Sequence, residues 1–170
     1  MALQLLNNLS QHGQLRPDAV AVREVVRDEP SRMLTWDQLS RLVDHWGAVF
    51  ASALKPGDVG IICSPNTCGF WVVFLGMLKA GLNVFPVWSD IAEPELLSAA
   101  ERTGATAIVG GARARATLQR QARLAVALED VCAIPPAGAA VRPGALMDAS
   151  EARCGWGAGP LPRSAYGSRC

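Results

Sequence analysis

The sequence is short of the residue types on which many active sites depend. Its 170 residues include two lysines, Lys55 and Lys79, and two histidines, His12 and His45. The net charge of +1 gives no overall attraction for nucleic acid or for an anionic membrane. The five cysteines form neither a Cys-x-x-Cys pair nor a Cys/His spacing suited to zinc. We therefore expect no disulfide framework, no metal site, no nucleic-acid partner and a reducing, cytoplasmic location.

Signals for export and for membrane insertion are also weak. Met1 to Ser10 has no basic leader and no long apolar run, so no secretory signal is indicated. Phe70 to Trp88 carries a single charge and is almost long enough to cross a bilayer. Gly76, Lys79 and Pro86 interrupt this stretch, and alternating strands and helices explain its hydrophobicity better. We expect no membrane span.

The first third of the chain predicts a strand pair followed by a helix. Val20 to Val26 is rich in valine and, with Met33-Leu34, reads as a hairpin across a polar break. Thr35 is a suitable N-cap, and Gln38 is its capping-box partner three residues later. Apolar residues then recur at intervals of three and four until Pro56 ends the pattern. This helix is expected to cover a sheet.

The middle of the chain alternates between short apolar runs and helical patterns. Strands are predicted at Val59 to Cys63, Val84 to Val87 and Thr106 to Val109, with helices at Thr67 to Ala80 and Glu93 to Gly104 between them. This order favours parallel strands joined by right-handed crossovers. The predicted fold class is α/β, a Rossmann-like parallel sheet layered with helices.

The pattern weakens beyond residue 110. Ala112 to Leu128 predicts one more helix and Val131 to Ile134 one more strand. From Pro135 onward, 11 of 36 residues are proline or glycine and large apolar residues are scattered, which is the composition of disordered segments. We therefore predict a folded domain over residues 1–134 and a disordered tail over residues 135–170.

Five short pieces of the sequence carry a family resemblance. In order, they are Leu34-Thr35-Trp36-Asp37-Gln38-Leu39, Lys55-Pro56-Gly57-Asp58-Val59, Pro65-Asn66, Leu78-Lys79-Ala80-Gly81 and Val84-Phe85-Pro86. Together they resemble the amino-terminal part of the adenylate-forming synthetases, the superfamily of acyl-CoA ligases, peptide-synthetase adenylation domains and luciferases. The resemblance covers about Leu15 to Ile134. Two positions depart from the family pattern: Trp88 stands near a common aspartate, and Gly69 stands where many members have glutamate.

The resemblance implies a reaction for which this sequence lacks some of the required segments. Full-length relatives use ATP and Mg²⁺ to convert a carboxylic acid into an acyl-adenylate, and many then transfer the acyl group to coenzyme A or a carrier thiol. The family's Ser/Thr/Gly-rich phosphate loop, which ends in Pro-Lys-Gly, has no match here, and neither does the lid with its catalytic lysine. Gly155-Trp156-Gly157-Ala158-Gly159 is rich in glycine, but no lysine follows it. We expect the chain alone to contain no catalytic or cofactor-binding residues and to be inactive.

Candidate site residues are therefore limited to a pocket rim. Pro65, Asn66, Pro86 and Trp88 lie at the carboxyl ends of predicted strands, where open α/β sheets form their ligand crevices. Both lysines are read as structural, in a turn and near a helix end. The arginines between residues 113 and 123 are read as a solvated helix face rather than a nucleic-acid surface.

Two hypotheses follow. In the first, the chain is the amino-terminal portion of an AMP-forming acid-CoA ligase or adenylation enzyme, from a truncated, frameshifted or split reading frame. In the second, it is a non-catalytic interaction module or one half of a split synthetase. Its partner would then be the remainder of the synthetase, or a second copy bound through exposed apolar surface.

Overall fold

The strand and helix signals of the sequence recur in the computed structural model, which describes residues 2–25 and 32–132. The described residues form two sheets and five α-helices, with a short 3₁₀ turn at Leu128–Asp130. In chain order the elements are α1 (Ala2–Leu15), β1 (Val20–Glu24), β2 (Arg32–Thr35), α2 (Trp36–Ala53), β3 (Val59–Cys63), α3 (Cys68–Lys79), β4 (Asn83–Val87), α4 (Glu93–Thr103), β5 (Ala105–Gly110), α5 (Ala112–Leu118) and β6 (Leu124–Ala127).

The hairpin and its following helix form as predicted. Strands β1 and β2 pair antiparallel, with Val22 opposite Leu34. At the start of α2 the backbone N–H of Gln38 donates to Thr35 Oγ1 at 3.3 Å, and the backbone N–H of Thr35 donates to Gln38 Oε1 at 3.0 Å. This reciprocal pair satisfies two backbone donors that no helical carbonyl can reach. The capping box therefore fixes where α2 begins.

The predicted parallel sheet is confirmed. Its strand order is β4-β3-β5-β6, and every neighbouring pair is parallel. Ile61 of β3 lies opposite Phe85 of β4 and Ile108 of β5. Because side chains alternate along a strand, Ile61 packs with α4 and α5 on one face, and Ile62 packs with α2 and α3 on the other. The architecture is a Rossmann-like layer of helix, sheet and helix.

The hydrophobic middle of the chain is explained by burial in this layer. Helix α3 has 12 residues, and seven of them are buried. The Thr67 side chain caps its first turn, and Gly81, with φ of 76°, supplies the left-handed residue after its end. Within the residues that the structure describes, no helix is both long and apolar enough to cross a bilayer.

Of the predictions beyond residue 110, the helix is correct only over its first part, and the strand does not form in its described part. The predicted helix from Ala112 to Leu128 stops at Leu118, and residues 124–127 form β6, paired with β5. Alanine favours helix locally, but the buried Leu124 and Val126 complete the sheet, so tertiary packing overrides propensity. The predicted strand from Val131 to Ile134 is a turn over its described part, Val131 and Cys132.

One helix was not predicted at all. Helix α1 covers Ala2–Leu15, where the sequence pattern predicted no element, and it contains His12. Its apolar stripe is short: Leu9 is buried, and Leu6 is half-buried against the main core. The predicted disordered tail, residues 135–170, lies outside the described residues.

Candidate functional site

The carboxyl ends of the parallel strands share one edge of the sheet. At this edge β3 leads through Ser64 into α3, β4 leads through Trp88 into α4, and β5 leads through Gly111 into α5. Open parallel sheets bind ligands at this edge. The loops that follow these strands are therefore the candidate site.

The structure separates the four predicted rim residues into two pairs. Pro65 and Asn66 are exposed in the loop between β3 and α3. Pro86 lies within β4, opposite Ile62, and Trp88 is the first residue after that strand. Pro86 and Trp88 line one open groove, whose lining includes neither Pro65 nor Asn66.

This groove, which we call the β4–α4 groove, runs between the outer strand of the sheet and the helix that follows it. Its volume is about 600 Å³. It is lined by Phe85, Pro86, Val87, Trp88, Ile91, Pro94, Glu95, Ser98, Ala99 and Arg102. Most of the lining is apolar, with Glu95 and Arg102 as its charged members. Trp88 is 78% exposed, so this large apolar side chain has almost no cover within the described residues.

Two side chains fix the loop that carries Trp88. The Cys63 thiol donates to the Trp88 carbonyl at 3.4 Å. Arg113 Nη2 donates to the carbonyls of Ser89 at 3.3 Å and Ile91 at 2.9 Å. Sequence reasoning missed this role of Arg113, because it grouped the residue with a run of surface arginines. The one available signal was position, since Arg113 comes shortly after the carboxyl end of β5.

The protonation of Cys63 is consistent with this donor role. Burial raises the pKa of the Cys63 thiol, the Arg113 cation lowers it, and the Asp90 carboxylate raises it, with a net rise. The thiol is therefore protonated near neutral pH and has a proton to donate. It is not a thiolate nucleophile.

The remaining arginines of the run have separate environments. Arg120 lines a second, smaller groove between α4 and α5 together with Arg113 and Glu93. Arg115 Nη2 lies 3.3 Å from Glu129 Oε1. Backbone carbonyls thus contact Arg113 and a carboxylate contacts Arg115, so these two arginines are engaged by other parts of the chain.

Both lysines lie at the edge opposite the candidate site. Lys55 precedes β3, and Lys79 ends α3 just before β4, so both stand at the amino ends of the strands. The Lys55 backbone N–H donates to Asp58, and the Lys79 ammonium pairs with Asp44 of α2. Over residues 2–25 and 32–132, no three His, Cys, Asp or Glu side chains form a group able to hold a metal ion.

Comparisons of the sequence give one family and one curated relative. Residues 9–157 match the family described as AMP-binding enzyme. A stretch of 77 residues is 36% identical to the 3-[(3aS,4S,7aS)-7a-methyl-1,5-dioxo-octahydro-1H-inden-4-yl]propanoyl:CoA ligase of Rhodococcus jostii (strain RHA1). That match covers 45% of this chain and 15% of the relative.

Comparisons of the structure give the same type of fold. The fatty acyl-adenylate ligase from L. pneumophila, solved with acyl adenylate and pyrophosphate, aligns with a TM-score of 0.64 at 18% identity, over 76% of this chain and 24% of that one. The N-terminal domain of FACL13 from Mycobacterium tuberculosis aligns with a TM-score of 0.63 at 19% identity, over 81% of this chain and 37% of that one. The chain therefore spans between about a quarter and somewhat more than a third of these solved chains.

Proposed function

The chain belongs to the family of AMP-binding enzymes, and from this premise we propose that it forms the amino-terminal scaffold of an adenylate-forming acid–thiol ligase. The carrying observation is the parallel sheet β4-β3-β5-β6, which lies within the family match and belongs to a fold that aligns with 24% of a fatty acyl-adenylate ligase chain. The full reaction would activate a carboxylic acid with ATP as an acyl-adenylate. Coenzyme A is a candidate acceptor, since the curated relative is a CoA ligase.

The described residues at the carboxyl edge of the sheet do not form a binding site suited to ATP or Mg²⁺. Adenylation develops negative charge on the α-phosphate and on the leaving pyrophosphate, and cations or aligned N–H donors must stabilise it. Lys55 and Lys79 lie at the wrong edge of the sheet, and the sequence contains no Pro-Lys-Gly loop. We therefore propose that these 170 residues contribute scaffold and part of a pocket rim, and that they are inactive alone.

The rim is assigned to the four predicted residues at the carboxyl edge. Pro65 and Asn66 would border the crevice from the loop after β3, and Pro86 and Trp88 would border it from β4. A cytoplasmic location accompanies this proposal, because acid–thiol ligation consumes ATP and a free thiol.

A segment exchange tests the scaffold function. Residues 9–132 would replace the corresponding residues of the Rhodococcus jostii ligase, and formation of the CoA thioester of that enzyme's own acid would be measured. We expect the chimera to keep activity within about tenfold of the parent. The same chimera with Lys55→Met and Lys79→Met is expected to be equally active. A folded chimera without activity, or one that depends on either lysine, would refute the proposal.

A further inference from the structure

Two cysteines that are far apart in the sequence lie close together on one face of the sheet. Cys68 is the first residue of α3, and Cys132 follows the 3₁₀ turn after β6. A Cβ added to Gly69, the neighbour of Cys68, would lie 3.6 Å from Cys132 Sγ. Cys68 is a member of the main hydrophobic core, and Cys132 packs against that core. The fold therefore brings the two thiols together at the start of α3.

The electrostatics of the two thiols agree with this geometry. Burial is the main cause that raises the pKa of the Cys132 thiol to about 11, and the Cys68 thiolate is the second cause. Burial also raises the pKa of the Cys68 thiol, with the Glu24 carboxylate as the next cause. Since a charge acts on a neighbouring group only at short range, the effect of Cys68 on Cys132 indicates that they are neighbours.

Hydrogen bonds hold the backbone at both cysteines. The Cys68 N–H donates to Glu24 Oε2 at 3.0 Å, which ties the start of α3 to β1. The carbonyl of Val131, the residue before Cys132, accepts from Trp46 Nε1 at 2.9 Å. Each cysteine is therefore anchored next to the other, and the pair does not depend on a chance encounter of two mobile segments.

The third described cysteine is separated from this pair. Cys63 belongs to the second hydrophobic core, on the other face of the sheet, and its thiol donates to the Trp88 carbonyl. All three described cysteines are free thiols. Cys68 is 3% exposed, whereas Cys132 is partly exposed, so a dissolved reagent reaches Cys132 first.

We propose that Cys68 and Cys132 are a redox-sensitive pair, which a small-molecule disulfide such as oxidised glutathione converts into a disulfide that ties the turn after β6 to α3. The Cys132 thiolate attacks one sulfur of the oxidant, forms a mixed disulfide and releases one thiol. The Cys68 thiolate then attacks Cys132 Sγ and displaces the second thiol. Two protein thiols become one S–S bond, and the S–S bond of the oxidant is reduced to two thiols. This inference is independent of the proposed function.

The test is oxidation of the purified full chain with oxidised glutathione at mildly alkaline pH, where more of each thiol is ionised. Peptide mapping by mass spectrometry should find Cys68 joined to Cys132, with Cys63 still a free thiol. Because the bond closes a loop of roughly 60 residues, the oxidised chain should unfold on the order of 10 °C above the reduced chain. Cys68→Ser and Cys132→Ser should each abolish the bond and the shift.

The matched control is Cys170→Ser, which removes a thiol at the last residue of the chain and should leave both the bond and the shift unchanged. A mixed disulfide that persists at Cys132, a bond to any other cysteine or between two chains, or an oxidised chain no more stable than the reduced one would overturn the proposal. The mapping uses the wild-type chain, so its result decides the question even if a serine variant does not fold.

Discussion

The indole of Trp46 joins two distant parts of the described chain. Its Nε1 donates to the Val131 carbonyl at 2.9 Å, and both residues are buried. A buried carbonyl that loses its donor keeps the cost of its desolvation. This contact ties the residues after β6 to α2.

Trp46→Phe should destabilise the chain by about 1–3 kcal/mol, because an aromatic ring remains while the hydrogen bond and part of the buried indole are lost. Urea unfolding followed by circular dichroism measures the change. Trp71→Phe is the control, since Trp71 is 42% exposed, and it should change the free energy of unfolding by less than about 0.5 kcal/mol. Equal effects of the two changes would rule out the bond as a stabilising contact.

Gly110 lies where β5 comes close to β3. A Cβ at this position would lie 2.9 Å from the Cys63 carbonyl oxygen and 3.2 Å from Cys63 Cβ, whereas a Cβ on Gly111 would meet nothing within 4 Å. Gly110→Ala should therefore cost about 1–3 kcal/mol through overpacking against backbone. Gly111→Ala should cost clearly less in the same urea experiment. A neutral Gly110→Ala would mean that the strands are further apart than described.

Because of Cys132, the stability of the chain should fall at alkaline pH. Burial is the main cause that raises the pKa of its thiol from 9.0 to about 11, with Cys68 and Glu24 adding to the rise and Arg32 opposing it. The unfolded chain therefore loses this proton at lower pH than the folded chain does, so the stabilisation is complete below pH 9.0 and is lost as the pH rises toward about 11.

The check is the free energy of unfolding of the wild type and of Cys132→Ala at about pH 8 and about pH 10.5. The wild type should lose more stability over this interval than the variant does. Parallel losses in the two proteins would show that Cys132 titrates alike in both states.

At the scale of elements, the start of α2 is determined by nearby residues, which the sequence alone reveals. The Thr35 hydroxyl and the Gln38 amide satisfy each other's backbone N–H groups, and the apolar stripe that follows is buried. Thr35→Ala should destabilise the chain by about 1 kcal/mol. Ser52→Ala, which removes a hydroxyl from the same helix without a capping role, should cost much less. The measurement is the urea midpoint, and a smaller loss for Thr35→Ala than for Ser52→Ala would contradict the capping assignment.

The elements that could be predicted are those whose signals are local. Capping residues, the glycines that end α3 and α4, and the alternation of buried strands with helices were enough to place the sheet from β3 to β5. Strand β6 could not be predicted, because the local propensity of its Leu-Ala-Val-Ala segment does not exclude a helix. Its pairing with β5, which is a tertiary contact, makes it a strand. Helix α1 was missed because, among its described side chains, Leu6 and Leu9 are the ones that pack on the main core.

The candidate site was less predictable, because the contacts that form it join residues far apart in the sequence. Position after a strand was enough to nominate Pro86 and Trp88. The hydrogen bonds from Arg113 and Cys63 that hold the Trp88 loop join residues up to 25 positions apart. No spacing pattern in a single sequence indicates such contacts.

At the scale of the whole molecule, the described residues form a packed layer of helices and sheet that leaves some large apolar side chains exposed. Two hydrophobic cores fill both faces of the four-stranded sheet, so this part has the packing of a folded unit. The chain aligns with 24% and 37% of two solved chains that share this fold. The proposed function assigns scaffold and chemistry to different parts of the domain.

The most direct test is carboxylate-dependent ATP–pyrophosphate exchange with the purified 170-residue chain. The assay would use a panel of aliphatic, aromatic and amino acids, with the Rhodococcus jostii ligase and its own acid as the positive control. We predict no exchange above the background without acid, since both lysines lie at the opposite edge of the sheet and the sequence contains no Pro-Lys-Gly motif. Exchange that depends on an added acid would contradict the account.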